Sequence, residues 1–244
     1  MATVESTEDP GDHADGTSIT LNMPSTRPDG NLYLAFVGCD GTGETIAETT
    51  TSAWTKIGQT SRGVCTLALF AMVGSSAAAT YTFGTTSSQH IRATVMRISG
   101  TWASADAVSY VSENSGASRT SAPAPAKTNA YPTSLIIRAW VCDADIFTAT
   151  APTGHTLQFE DASDGVSCIT MAIATSTTAG DTSGSATIGG SFSDGFSIMT
   201  VEVESATTVV LSGTAISGGV LESEIVSGGE TIIATATGAE VTPA

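Results

Sequence analysis

The sequence predicts an all-β protein: a jelly-roll-like antiparallel β-sandwich built from two pseudo-repeated halves, with a small C-terminal β meander. Short alternating or near-continuous apolar runs, bounded by Gly, Pro, Asn and Ser, recur along the chain, which is typical of strands and tight turns. Of the 244 residues 41% are hydrophobic and only 13% are charged, which is enough for a sizeable core. The stretch LYLAFVGCD at 32–40 returns as LIIRAWVCD at 135–143.

The repeat predicts which side chains share the core. At an offset of 103, Leu32 and Leu34 fall on Leu135 and Ile137, so these four residues are expected to face one common core. For the next strand an offset of 102 is preferred over 103, because a one-residue slip exchanges the two faces of a strand. That offset pairs apolar residues with apolar residues, namely Leu67, Leu69 and Ala71 with Ile169, Met171 and Ile173.

Composition divides the chain into three parts. Residues 1–16 are acidic and predict a flexible arm, and residues 17–205 predict one intertwined sandwich with half-repeats at about 17–100 and 134–205. The irregular, Ala-Pro-containing stretch 101–133 is expected to connect the halves. Residues 206–244 carry two Gly-Gly turns and predict a β appendage that packs on something larger. Two separate small sandwiches are the alternative, but they would leave open strand edges.

The charge of the chain argues against several partners. Eight Lys and Arg against 24 Asp and Glu give a net charge of −16, which repels nucleic acid and anionic lipid. The longest apolar run, at 64–74, is about half the length of a membrane helix. The acidic N-terminal residues do not resemble a secretory signal, so a soluble protein made in the cytoplasm is expected.

Nucleophilic chemistry finds little support in the sequence, so the protein is predicted not to be an enzyme and to need no cofactor. The three histidines, His13, His90 and His155, do not stand in any recognisable triad order. The four cysteines lie in strand-like runs without metal-ligand spacing, so free buried thiols are expected, with a disulfide or a metal site as the alternative; they are Cys39, Cys65, Cys142 and Cys168. Cys39 and Cys65 lie in apolar strands, which should raise the pKa of their thiols.

Two kinds of binding site remain as weaker hypotheses. Carboxylates crowd two loops, so Asp40 with Glu44, and Asp143 with Asp145, are candidate calcium ligands, although solvated acids are the simpler interpretation. Trp102 and Trp54 are candidates for a glycan-stacking surface, with Trp102 the one expected to be exposed, although packing in the core is the commoner use of Trp.

Two segments carry a resemblance to a known group of proteins. The stretches APTGHTLQFED at 151–161 and SAWTKIGQ at 52–59, each followed by an apolar strand, a Gly/Ser/Thr turn and an alternating strand, resemble a pattern of tailed-bacteriophage virion proteins and bacterial surface proteins. His155 stands where that pattern usually has Trp, and the first copy lacks its Pro-x-Gly. The stretch 213–238 is similar to terminal segments of phage structural proteins.

The resemblance implies a virion structural protein with a jelly-roll fold. The expected role is a capsid decoration or cement protein on the outer surface of the phage head, assembled in the host cytoplasm. Its partners would be the major capsid protein, other virion proteins and further copies of itself, with a homotrimer as the expected assembly. The acidic arm and residues 206–244 are the expected contact regions. The alternative is a receptor- or glycan-binding module of a tail fibre.

Overall fold

The computed structural model describes residues 2–8, 12–62, 64–74, 78–115, 121–130, 132–143, 149–161, 169–181, 187–189, 195–204, 209–211 and 232–234. The first half contains β1 (Val4–Glu8), β2 (Asp12–Asn22), β3 (Leu32–Asp40), β4 (Ala47–Glu48), β5 (Thr55–Arg62), β6 (Cys65–Val73) and β7 (Thr80–Ile98). The second half contains β8 (Val108–Ser115), β9 (Ser121–Pro123), β10 (Leu135–Asp143), β11 (His155–Asp161), β12 (Ile169–Ser176), β13 (Thr187–Gly189) and β14 (Phe196–Val203). Two short strands follow, β15 (Val209–Leu211) and β16 (Ile232–Ala234).

Each half of the chain forms its own antiparallel sheet. The strand order in the first sheet is β1-β7-β3-β6-β5, and in the second sheet it is β8-β14-β10-β12-β11. These five-strand orders correspond strand for strand, so the duplication seen in the sequence extends to ten strands, while β2 and β4 pair with β7 in the first sheet in addition. The all-β sandwich of two pseudo-repeated halves is confirmed. The halves are not intertwined as predicted, because no described strand of either half enters the other sheet.

The two sheets bury one common core between them. Leu32 and Leu34 from β3 pack in the same cluster as Leu135 and Ile137 from β10, and all four are at most 4% exposed. Their predicted shared core is therefore confirmed. The same cluster contains the inward rows of the neighbouring strands, including Leu67, Leu69, Ala71, Met96, Met171, Ile173, Met199 and Val201.

Strand pairing refines the register of the repeat. Phe36 pairs with Leu69 and Ala139 pairs with Ile173, so positions 69 and 173 correspond, 104 residues apart. The preferred offset of 102 placed the correct face inward but missed the hydrogen-bond equivalence by two residues. The connection at 144–168 is one residue longer than that at 41–64, which changes the offset from 103 in the first strand to 104 in the next. Both edge strands also shift register at one corresponding point, between residues 56 and 58 and between residues 157 and 159.

Each sheet has a second, outer core. The first is covered by β2 and the beginning of β7, which pair over residues 18–22 and 80–84. The second is covered by β9, which pairs with β13, and there Trp140 Nε1 donates to the carbonyl of Ala122 at 2.8 Å. Because both faces of both central strands are buried, β3 and β10 are near-continuous apolar runs in the sequence.

Two predicted boundaries are wrong. Residues 4–8 of the predicted flexible arm form β1, which pairs with β7, and β2 begins at residue 12. The acidic character of this segment misled the prediction, since Glu5 is paired with Arg97 at 2.8 Å and Ala2 is buried in the inner core. The predicted connection at 101–133 contains β8 and β9, so the first half begins one strand earlier than predicted and the second half begins two strands earlier.

The predicted C-terminal meander is described only in part. Within residues 206–244, β15 and β16 are the described strands, and they pair with each other in parallel. They lie in the first and the third of the three predicted runs, which a meander would orient in parallel but separate by the second run, so their direct pairing differs from the prediction. The two Gly-Gly turns lie outside the described residues.

Candidate functional site

The predicted calcium ligands Asp40 and Glu44 lie in and after the end of β3, next to the middle of β7. One oxygen of Asp40 accepts a hydrogen bond from the backbone N–H of His90 at 2.6 Å. The Glu44 carboxylate accepts hydrogen bonds from the backbone N–H and hydroxyl groups of Thr86 and Ser87 and from the side chain of Gln89. Donor groups of the protein engage both oxygens of Glu44 and one oxygen of Asp40, so these oxygens hold the loop, and calcium at Asp40 and Glu44 stays a prediction.

Glu44 acts as an anchor for the loop after β3. Burial opposes its ionisation, but the hydrogen bonds from Ser87, Thr86 and Gln89 outweigh burial and lower the pKa of Glu44 to about 2. Its own carbonyl accepts a hydrogen bond from Gln59 at 2.5 Å, and Gln59 in turn accepts one from Ile46 N at 3.1 Å. The loop is thereby held between β5 and β7.

Replacing Glu44 by Gln should weaken the fold and reduce its sensitivity to acid. A carboxyl group of lowered pKa stabilises the fold above its ordinary value of 4.5, and this contribution is lost as pH falls through about 2. In urea unfolding across this range, Glu44→Gln should be less stable than the parent near neutral pH and lose less stability on acidification. Glu8→Gln removes the same charge from edge strand β1 and is the control. Parallel pH profiles of the parent and Glu44→Gln would contradict this role.

The second predicted pair is described only in part. Asp143 is the last residue of β10, whereas Asp145 lies outside the described residues. Among the residues that the structure describes, no group of three or more His, Cys, Asp and Glu side chains is arranged to hold a metal ion. Calcium at Asp143 and Asp145 stays a prediction.

The candidate glycan-stacking residues Trp54 and Trp102 are both buried, each 7% exposed. Trp54 packs edge-on against Tyr81 and Phe83 in the outer core of the first sheet, with ring centroids 5.6 and 5.7 Å away. Trp102 lies in the inner core, and its Nε1 donates to Ser99 O at 3.2 Å. The prediction of an exposed Trp102 is wrong, because the chain turns inward after Gly100, whose φ is +114°. Neither ring offers a face to a sugar.

The described cysteines are free and buried, as predicted: Cys39, Cys65 and Cys142. Burial raises the pKa of Cys39 and raises that of Cys65 to about 11, so these thiols are poor nucleophiles at neutral pH. Cys168 lies outside the described residues.

A buried carboxylate that the sequence analysis missed is Glu202 on β14, which is 0% exposed. It accepts hydrogen bonds from Lys127 Nζ at 2.7 Å, Ala130 N at 2.7 Å and Ser134 Oγ at 2.8 Å. Burial raises its pKa, but these donors outweigh burial and keep the pKa of Glu202 below its ordinary value. We call these four residues the Glu202 cluster; it fixes the segment between β9 and β10 against the second sheet.

A second missed group, the His155 cluster, lies on the outer face of the same sheet and consists of His155, Arg138 and Asp181. Arg138 Nη2 lies 3.6 Å from Asp181 Oδ2, and His155 Nε2 lies 3.7 Å from the same oxygen. The side chains of Arg138 and His155 are 1% and 3% exposed. A signal was available in the sequence, because Arg138 is a lone charge within an apolar strand, where a buried charge requires a partner.

Comparisons of this chain with protein-family models, with curated proteins and with solved structures give no match. In the part of the chain that the structure describes, no helix has the length and apolar character needed to cross a membrane.

Proposed function

We propose that this protein is a structural component of a tailed-bacteriophage virion, a decoration or cement protein that binds the major capsid protein on the outer surface of the head and stabilises the shell. The observation that carries the proposal is the duplicated sandwich, whose two sheets share an inner core while each closes its own outer face. The buried carboxylates Glu44 and Glu202 both accept hydrogen bonds from neighbouring groups of the protein. A module of this kind suits a structural role on a particle.

The charge of the chain supports the outer surface rather than the lumen of the head. A net charge of −16 opposes close packing against packaged nucleic acid. The resemblance of 52–59 and 151–161 to virion proteins supports the same assignment. Placement on the tail, as a receptor-binding module, receives no comparable support, because Trp54 and Trp102 are buried.

The contact with the shell is proposed to lie in residues 206–244. Among the described residues, Val64, which is 37% exposed, is the one large apolar side chain on the surface. The faces of the sandwich therefore offer little apolar area for a stable interface. Residues 2–8, the other candidate, are incorporated in the first sheet. The C-terminal segment retains alternating apolar residues, and a homotrimer joined through it would place many copies on a symmetric shell.

Deleting residues 206–244 should abolish or strongly reduce occupancy on particles while leaving the sandwich folded. The measurement is the amount of this protein per purified particle, together with circular dichroism and urea unfolding of the truncated chain alone. A full-length Val64→Ser variant tests whether the sandwich surface contributes. Full occupancy of the truncated chain on the head would contradict the C-terminal contact.

Location on the particle tests the function itself. Electron microscopy of native particles, with the full-length protein labelled, should show density on the head. Label confined to the tail, or no association with particles, would overturn the proposed role.

A further inference from the structure

The two halves differ in the chemistry of the side chains at the start of their edge strands, β5 and β11. When the edge strands β5 and β11 are aligned at their corresponding register shifts, residue 155 is the counterpart of residue 54. When the central strands β3 and β10 are aligned, residue 138 is the counterpart of residue 35. The first half places Trp54 against Tyr81 and Phe83 there, in an aromatic cluster. The second half places His155 and Arg138 there, with Asp181. An apolar contact in one half is thus an ionisable contact in the other.

The hydrogen bond at the other ring nitrogen fixes the proton on His155. Nδ1 lies 3.1 Å from the carbonyl oxygen of Thr153, which can only accept, so this contact is a hydrogen bond in the tautomer that has its proton on Nδ1, and we assign that tautomer. In the neutral imidazole, Nε2 therefore carries a lone pair and no proton. It faces Asp181 Oδ2, which is also an acceptor, at 3.7 Å. The favourable partner of Asp181 in this state is Arg138, at 3.6 Å from the same oxygen.

From this geometry we propose that the His155 cluster is a proton-sensitive contact: proton uptake at His155 Nε2 in mild acid loosens the attachment of β11 and the turn at 177–181 to the second sheet. The inference is independent of the proposed virion role. A proton at Nε2 places a second cation beside Arg138 in a buried site, and both cations then share one carboxylate. Burying this additional charge weakens the folded state.

The surroundings of His155 determine the direction of the effect. Among the described residues, the charged groups that face it are Arg138 from β10 and Asp181 from the turn after β12; β12 itself contains no charged residue. Burial lowers the pKa of His155 below 6.5 and Arg138 lowers it further, against the opposing effects of Thr153 and Asp181. The cluster therefore stabilises the fold fully above pH 6.5, and this contribution is lost as pH falls below that value.

The segment that would respond is held by few hydrogen bonds. The backbone N–H and hydroxyl of Thr177 both donate to Gly154 O at 2.9 Å, and Gly180 N donates to Ser134 O at 2.8 Å. Asp181 follows immediately, so its contact with Arg138 and His155 closes this turn onto the sheet.

The first test is NMR titration of the histidine side chains in the full-length chain. The midpoint of His155 should lie below 6.5. Arg138→Met should move it upward by removing a cation, and Asp181→Asn should move it further downward by removing the anion. A His155 midpoint at or above 6.5, or shifts of one sign in both variants, would overturn the proposal.

The second test separates proton uptake from simple packing. Hydrogen exchange should show that protection of the Thr177 and Gly180 amides falls in the parent between about pH 7.5 and about pH 5.5. In His155→Phe, which retains a ring but cannot take up a proton, that loss should disappear. The Thr49 amide, which donates to Thr82 O in the first half, is the control within the same molecule. Equal loss of protection in parent and variant would contradict a proton-sensitive contact.

Discussion

Glu202→Ala should destabilise the protein by about 3–5 kcal/mol, the cost of breaking a buried ion pair by removing one partner. The Lys127 ammonium, 2.7 Å from the carboxylate, would be left without its anion, and Ala130 N and Ser134 Oγ would lose their acceptor. The measurement is the free energy of unfolding in urea at neutral pH.

The neighbouring acid Glu204 provides the matched control for this experiment. It lies two residues further along the chain, and burial together with the charge of Glu202 raises its pKa, so its ionised form is not favoured by its surroundings. Glu204→Ala should change stability by no more than about 0.5 kcal/mol. Introducing Lys127→Met into the Glu202→Ala background should recover part of the loss, because no buried charge then remains unpaired. A loss of the same size in Glu202→Ala and Glu204→Ala would show that the cluster does not hold the fold.

Gly38→Val should cost about 1–3 kcal/mol by overpacking the space between the two sheets. Gly38 lies on the inner side of β3, where a Cβ would come within 2.6 Å of Val141 Cγ2 on β10 and 3.1 Å of Met171 Cε on β12. A β-branched neighbour such as Val141 has few alternative rotamers, so the sheets themselves would have to separate.

A double-mutant cycle tests whether the contact between the sheets causes this loss. Gly38→Ala should be destabilising in the parent but nearly neutral in the Val141→Ala background, where the added methyl group enters the space that Val141 vacates. Both variants are compared with Val141→Ala by urea unfolding. The same cost of Gly38→Ala in both backgrounds would place its origin in the conformation of β3 rather than in the approach of the sheets.

The duplication explains where the two halves are free to differ. The inner core joins both sheets, so a change on one side must be matched on the other, as at Gly58, where a Cβ would meet the Tyr110 ring within 2.1 Å. Position 159, the counterpart of 58, is Phe in the second half, while position 7, the counterpart of 110, is Thr. In the first pair of positions the larger side chain is on β8, and in the corresponding pair it is on β11. The outer faces are covered independently, which allows the ionisable His155 cluster to replace an aromatic one.

The sequence by itself determined the β class, the duplication and the inward face of each central strand, because strand periodicity and turn residues act over a few neighbouring positions. Leu32, Leu34, Leu135 and Ile137 could therefore be assigned to one core. Only the tertiary structure decided that each half forms its own sheet and that residues 4–8 join the first. It also decided that Glu44, Glu202 and Arg138 are buried. These outcomes depend on donors and strands from distant parts of the chain, such as Ser87 for Glu44, and local pattern does not encode which distant groups will meet.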